Sequence, residues 1–120
     1  MSNENLTGGM PSPFDNLTQT ERTISGSVQP DGTVKAGTGF TVLRQSPGDY
    51  SINFNTPFNQ RPVVVATQRH PHTDDFNQYG GDTRDNLVII AVSNSKCKLK
   101  VGNGDGKVCD RAFEFIAIGQ

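Results

Sequence analysis

The chain has 120 residues, 32% of them hydrophobic and 19% charged, with 13 Gly, 7 Pro and a formal net charge of −1. That length holds one domain, which buries about two-thirds of its unfolded surface. The scattered Lys and Arg lack the basic footprint that a phosphate backbone demands, and no run approaches the roughly 20 apolar residues of a membrane span, so neither a nucleic-acid partner nor membrane insertion is expected.

Residues 1–20 are rich in Gly, Pro, Asn, Ser and Thr and show almost no periodicity, Phe14 and Leu17 apart. Such a segment buries too little surface to order itself. It reads as an N-terminal arm, docking on a neighbour or flexible, with the domain proper at 21–120. The first ten residues lack the basic and apolar parts of a signal peptide, which predicts synthesis in the cytoplasm. Sequons at Asn5 and Asn16 matter only in a secreted eukaryotic protein, a route nothing else suggests.

From Arg22 the pattern has period two: Ile24, Gly26 and Val28 share a face before an Asp31-Gly32 turn. Residues 40–45 alternate, Pro47-Gly48 turns the chain, and Tyr50, Ile52 and Phe54 fall opposite Ser51, Asn53 and Asn55. This predicts a hairpin with one wet side. Pro57 and Pro62 bracket a loop, with Pro62 at the start of the next strand, where a missing N–H does least damage. Three further runs, 63–66, 87–92 and 112–118, are apolar on both faces almost throughout. Such runs mark strands covered on both sides, and with no amphipathic stretch long enough for a crossover helix the strands must pair antiparallel.

The predicted fold is therefore an all-β antiparallel sandwich of six to seven strands. Two layers cover only one face of each sheet. Leu87, Ile89, Phe113 and Phe115 are accordingly expected at an interface between identical copies, since leaving each in water forgoes about 1.5–3 kcal/mol. A homotrimer about an axis lined by these strands is the expected assembly, although the pattern itself also admits a dimer.

Asn103-Gly104-Asp105-Gly106 reads as a hairpin turn that sets Lys100, not Cys97, opposite Cys109. A three-residue offset, about 10 Å along a strand, is beyond a disulfide, so two free, partly buried thiols are expected unless a bulge shifts the register. The same stretch is no EF-hand loop, because Val101 stands at the first ligand position and no closing Glu follows. Glu114 interrupts an apolar strand and needs a partner, with Arg44, Arg61 and Arg111 as candidates.

Gly39-Phe40-Thr41-Val42, Gly48-x-Tyr50-x-Ile52-x-Phe54, Pro57-Phe58, Pro62-Val63-Val64-Val65 and Asp110-Arg111-Ala112-Phe113-x-Phe115-Ile116-Ala117 follow one another over about residues 36–118. In that order they resemble the small β-domains that close phage tail-fibre and related bacterial surface proteins and, more loosely, the H-type lectin domain. The resemblance implies a six-stranded antiparallel sandwich, assembly as a trimer, and sugar binding in clefts between protomers. The chain has no Trp, which leaves Tyr79, Phe76 and Tyr50 as faces on which a sugar ring would stack.

The segment RHPHTDDFNQYGGDTRDN, residues 69–86, is long for a loop and holds both histidines, four aspartates and two aromatics; such loops are commonly functional. Arg69, Asp74, Asp75, Asn77 and Arg84 are the candidate hydrogen-bonding residues and Tyr79 the stacking face. His70 and His72, on an extended strand, would point both rings to one side. Three such pairs about a threefold axis would offer six imidazoles to a transition metal, an arrangement that phage fibre tips use. Asp74, Asp75, Asp82 and Asp85 match no calcium loop.

No nucleophile elbow, phosphate loop or dinucleotide fingerprint is present, so catalysis is not expected. The functional expectation is a virion component of tail-fibre type. A trimeric sandwich would present the 69–86 loop to a cell-surface glycan receptor, its arm joined to other virion proteins, with no cofactor beyond that metal. The rival expectation is a purely structural decoration or cement protein of a capsid or tail.

Overall fold

A computed structural model of the chain describes residues 20–120. The arm, with Phe14, Leu17 and both sequons, lies outside the described residues but for Thr20. Eight strands follow: β1 (Arg22–Val28), β2 (Val34–Gly37), β3 (Phe40–Ser46), β4 (Asp49–Phe54), β5 (Val63–Arg69), β6 (Asn86–Val92), β7 (Lys96–Gly102) and β8 (Ala112–Gly119). They form two four-stranded sheets, β2-β1-β8-β5 (sheet A) and β3-β4-β7-β6 (sheet B), with every neighbouring pair antiparallel.

The architecture is the all-β antiparallel class expected, with at least one strand more. The additions come from stretches whose sequence signal is weak or points to a different pairing. β2 is four residues long and fully exposed, too short for alternation to register. β7 pairs with β4 and β6, not across the 103–106 turn, where only the Gly102–Val108 bridge forms. Beyond that turn the Cys109 N–H bonds to the Val101 carbonyl at 3.4 Å, so Val101, not Lys100, lies opposite Cys109. Both cysteines are free, and burial in β7 pushes the Cys97 thiol up to about 11.

Period-two side chains fill the space between the sheets. Ile24, Val28, Phe113, Phe115 and Ala117 enter from sheet A; Phe40, Tyr50, Ile52, Phe54, Leu99 and Val101 enter from sheet B. Two edge-to-face aromatic pairs tie the layers together, Phe40 on Phe115 at 4.8 Å and Tyr50 on Phe113 at 5.1 Å, a geometry favoured by the ring quadrupoles. Gly26 makes the first pair possible, because a Cβ there would sit 2.2 Å from the Phe40 ring.

The same burial corrects the expected interface. Phe113 and Phe115 are fully buried inside one protomer, and Leu87 and Ile89 are half-buried against the same core. None of the four faces outward from the sandwich. A strand apolar on both faces gives no marker of parity, and it is the alternate set, Val88, Ile90, Ile116 and Ile118, that is exposed.

Strand direction gives the molecule two poles. Arg22 pairs with Gly119 at one end of sheet A, whereas Val28 pairs with Phe113 and Arg69 with Ala112 at the other. The described chain therefore enters and leaves at one pole. The segments 29–33, 70–85 and 103–111 gather at the opposite one.

Candidate functional site

At the far pole the 70–85 loop is pinned at both ends. Arg69, the last residue of β5, donates to the Asp74 carboxylate and, at 3.4 Å, to Glu114 on β8. Lys35 of β2 reaches the other Asp74 oxygen at 3.1 Å. Arg69 first, then Lys35, holds the Asp74 carboxyl below its ordinary range. These pairs are solvent-exposed, so they orient the loop more than they stabilise the fold. Glu114 thus finds its partner in Arg69, not in the three arginines expected: Arg44 serves Asp110, Arg111 serves Asp85, and Arg61 reaches only the Pro62 carbonyl.

At the loop's other end Asp82 accepts the backbone N–H of Arg84 at 2.8 Å and its guanidinium at 2.8 and 3.0 Å. These bonds hold the Asp82 carboxyl down to about 2. Next to it, Asp85 and Arg111 form a pair at 3.3 Å whose side chains are both largely buried. Arg111 also donates to Gln68, whose amide N–H₂ reaches the carbonyls of Asn86 and Gly102 at 2.7 Å each. One glutamine of sheet A thereby fastens the ends of two strands of sheet B.

Between these anchors the Asp75 carboxylate accepts the Asn77 N–H at 3.0 Å and its carbonyl accepts the Gln78 N–H at 3.1 Å, a turn of the Asx type. That turn carries Phe76 and Tyr79 at 99% and 98% exposure. Of the candidate binding residues, Arg69, Asp74 and Arg84 are thus committed to ion pairs and Asp75 to the turn. The Asn77 side chain and the Tyr79 ring form no side-chain hydrogen bond among the described residues. Tyr50 is removed as a stacking face, since it is fully buried with its hydroxyl bonded to the Pro30 carbonyl. A polar cleft of about 300 Å³ lies beside the loop, lined by His70, Asp82, Arg84, Asp85, Asn103 and Arg111. Asn103 closes its own turn there, its side-chain oxygen accepting the N–H groups of Asp105 and Lys107.

His70 and His72 do not sit on an extended strand. β5 ends at Arg69, the chain bends at His70 and Pro71, and the peptide between them is cis. Both rings are exposed, and among the described residues no three His, Cys, Asp or Glu side chains come close enough to hold a metal ion.

Residues of two of the quoted sequence segments meet in space. Asp110 accepts Arg44 Nε at 2.8 Å on one oxygen, and the Gly48 N–H at 2.9 Å together with the Tyr50 hydroxyl at 3.3 Å on the other. Arg44 lowers the Asp110 pKa against a smaller opposing effect of burial; burial raises that of Tyr50. This lock joins the β3–β4 turn to the approach to β8. Its chemistry is structural.

The outer face of sheet A is oily. Val63 and Val65 of β5 are 64% and 65% exposed, and the exposed Ile118 and Ile116 stand opposite them. Beside them lies a shallow trough of about 420 Å³, lined by Ser25, Ala36, Val65, Thr67, Glu114 and Ile116 among others. The four sheet edges differ. Register shifts leave Lys35 of β2, Gln45 of β3 and Ile90 of β6 without partners, irregularities that discourage edge-to-edge pairing. β5 alone runs unbroken, paired with β8 over seven residues.

The chain matches no protein-family model, no curated protein and no solved structure. The class defined by the fold itself is the antiparallel two-sheet β-sandwich.

Proposed function

We propose that this protein is a non-enzymatic receptor-binding component of a virion, of tail-fibre type. Sandwiches associate as a trimer through the outer face of sheet A, the N-terminal arm joins them to other virion proteins, and the 70–85 loops point toward a cell-surface glycan. The observation that carries the reading is the presence of two aromatic rings in full solvent at the tip of a loop anchored at both ends. Such rings give the fold nothing, whereas a sugar offers a C–H face to stack on, and the Asn77 amide beside them can bond its hydroxyls.

Tyr79→Ala and Phe76→Ala should each lower adsorption to host cells about tenfold, equivalent to about 1.4 kcal/mol, with the circular-dichroism spectrum unchanged. Full adsorption by the double variant would refute the receptor role and leave a decoration protein as the reading.

Association through sheet A has its own test. Val65→Lys places a charge where another copy's aliphatic side chains would pack, so sedimentation should show a trimer for the parent chain and a folded monomer for the variant. A parent chain that sediments as a monomer at micromolar concentration would dispose of the assembly.

A further inference from the structure

We infer that the outer face of sheet B is a second binding surface, for an anionic polysaccharide. One end of it adjoins the 70–85 loop at Arg84, and its case does not depend on the receptor role. β7 alternates strictly: Cys97, Leu99 and Val101 are buried, and Lys96, Lys98 and Lys100 take the opposite parity. Their Cα atoms follow one another at about 7 Å, so the row is about 13 Å long.

Lysine on a strand ordinarily guards a free edge. β7 is flanked by β4 and β6, so that explanation fails here. Lysine is a poor strand former and like charges on one strand repel, so three in a row work against the fold.

The face does little to neutralise them. Across the register they meet Asn53, Ser51 and Asp49 on β4, and Ala91 and Val88 on β6. Asp49 lies 3.8 Å from Lys98, while Lys96 and Lys100 have no ion-pair partner among the described residues. Arg84 shares a cleft with Lys100, but its own charge is matched by Asp82. A chain of net charge −1 thus concentrates unmatched positive charge along one line of a sheet face.

The groups beside the row suit a sugar polymer. A cleft of about 310 Å³ holds Gln45, Ser51 and Ser93 with Lys96 and Lys98, and one of about 360 Å³ holds Asn86 with Lys100. Both offer hydroxyl or amide groups beside ammonium groups, the combination that recognises sugar hydroxyls interspersed with carboxylate, sulfate or phosphate. Single-stranded nucleic acid would need aromatic platforms for its bases. Among the described residues the exposed aromatics, Phe76 and Tyr79, are on the 70–85 loop instead.

The experiment measures binding of the full chain to dextran sulfate and to unsulfated dextran over a salt series. Lys96→Gln/Lys100→Gln is compared with Arg61→Gln/Lys107→Gln, which changes net charge equally and spares the Lys98–Asp49 pair likewise. The parent should bind only the sulfated polymer. K96Q/K100Q should lose about tenfold in affinity, and its affinity should fall less steeply with salt because fewer counterions are released; R61Q/K107Q and Tyr79→Ala should bind as the parent does.

Equal binding by K96Q/K100Q and the parent, or equal loss in R61Q/K107Q, overturns the site. A single-stranded oligonucleotide that binds as tightly as dextran sulfate overturns the polysaccharide assignment. Loss of dextran sulfate binding in Tyr79→Ala would move the ligand to the loop and overturn this face, whereas failure of Tyr79→Ala in host adsorption bears only on the receptor role.

Discussion

Phe113→Ala is expected to destabilise the protein by about 3–5 kcal/mol, the range for deleting a fully buried aromatic side chain. Phe113 lies on β8, a central strand of sheet A, has no solvent exposure, and packs edge-to-face on Tyr50 of the opposite sheet. Neighbours fixed in two sheets relax little into the space it would leave, so both the transfer and the cavity contributions are lost. Against a typical total of about 5–15 kcal/mol, such a loss moves the urea midpoint far down. Ile116→Ala, three residues along the same strand and exposed, should cost a monomer much less. Similar midpoints for the two variants, both measured in the monomeric Val65→Lys background, would mean that the parity of β8 is wrong.

The second large effect is expected at Asp110. Asp110→Ala removes the acceptor of Arg44, of the Gly48 N–H and of one side of the Tyr50 hydroxyl. Hydrogen bonds to a charged group contribute about 1.5–3 kcal/mol, and the carboxylate is one-third exposed, so a loss of about that size in total is expected.

The pH dependence has a definite sign. Arg44 depresses the folded-state pKa of Asp110 below the ordinary carboxylate range. The contribution of Asp110 is therefore complete above pH about 4 and is lost as acid protonates the folded carboxyl at lower pH. Melting temperature measured from pH 6 down to pH 2 should fall more steeply for the parent than for D110A. Parallel curves would show that Asp110 contributes no acid-sensitive stability.

The sandwich and its antiparallel pairing were legible because the 40–54 hairpin, the punctuation at Pro57 and Pro62 and the three apolar runs each restrict the strand pattern. Parity in the apolar runs was not, although Glu114 held the clue. A carboxylate seeks the wet face, and Ile116 and Ile118 share its parity, which leaves Phe113 and Phe115 inside. In β6 the skipped Ile90 breaks the alternation, a shift no period count reveals.

The 69–86 loop was legible as a place, since its length and composition are conspicuous, but the status of its residues was not. Whether Asp74 or Arg84 is free for a ligand depends on Lys35, 39 residues away, and on Asp82 two residues away, and only the folded chain brings the former near. The lysine row of β7 is a plain alternation in the sequence. Its meaning depends on β7 being an inner strand, which is a fact of topology.

The two-pole layout has a mechanical consequence. If the chain is held from the Arg22 end of β1 and drawn by something gripping the far loops, the tension runs along the strands, and the seven β1–β8 residue pairs must slip together. Tugging Arg22 and Gly119 apart, by contrast, would part the same pairs one after another from the rim, like a seam opened at its end. The arrangement therefore resists a pull between its two poles far better than a pull that separates Arg22 from Gly119.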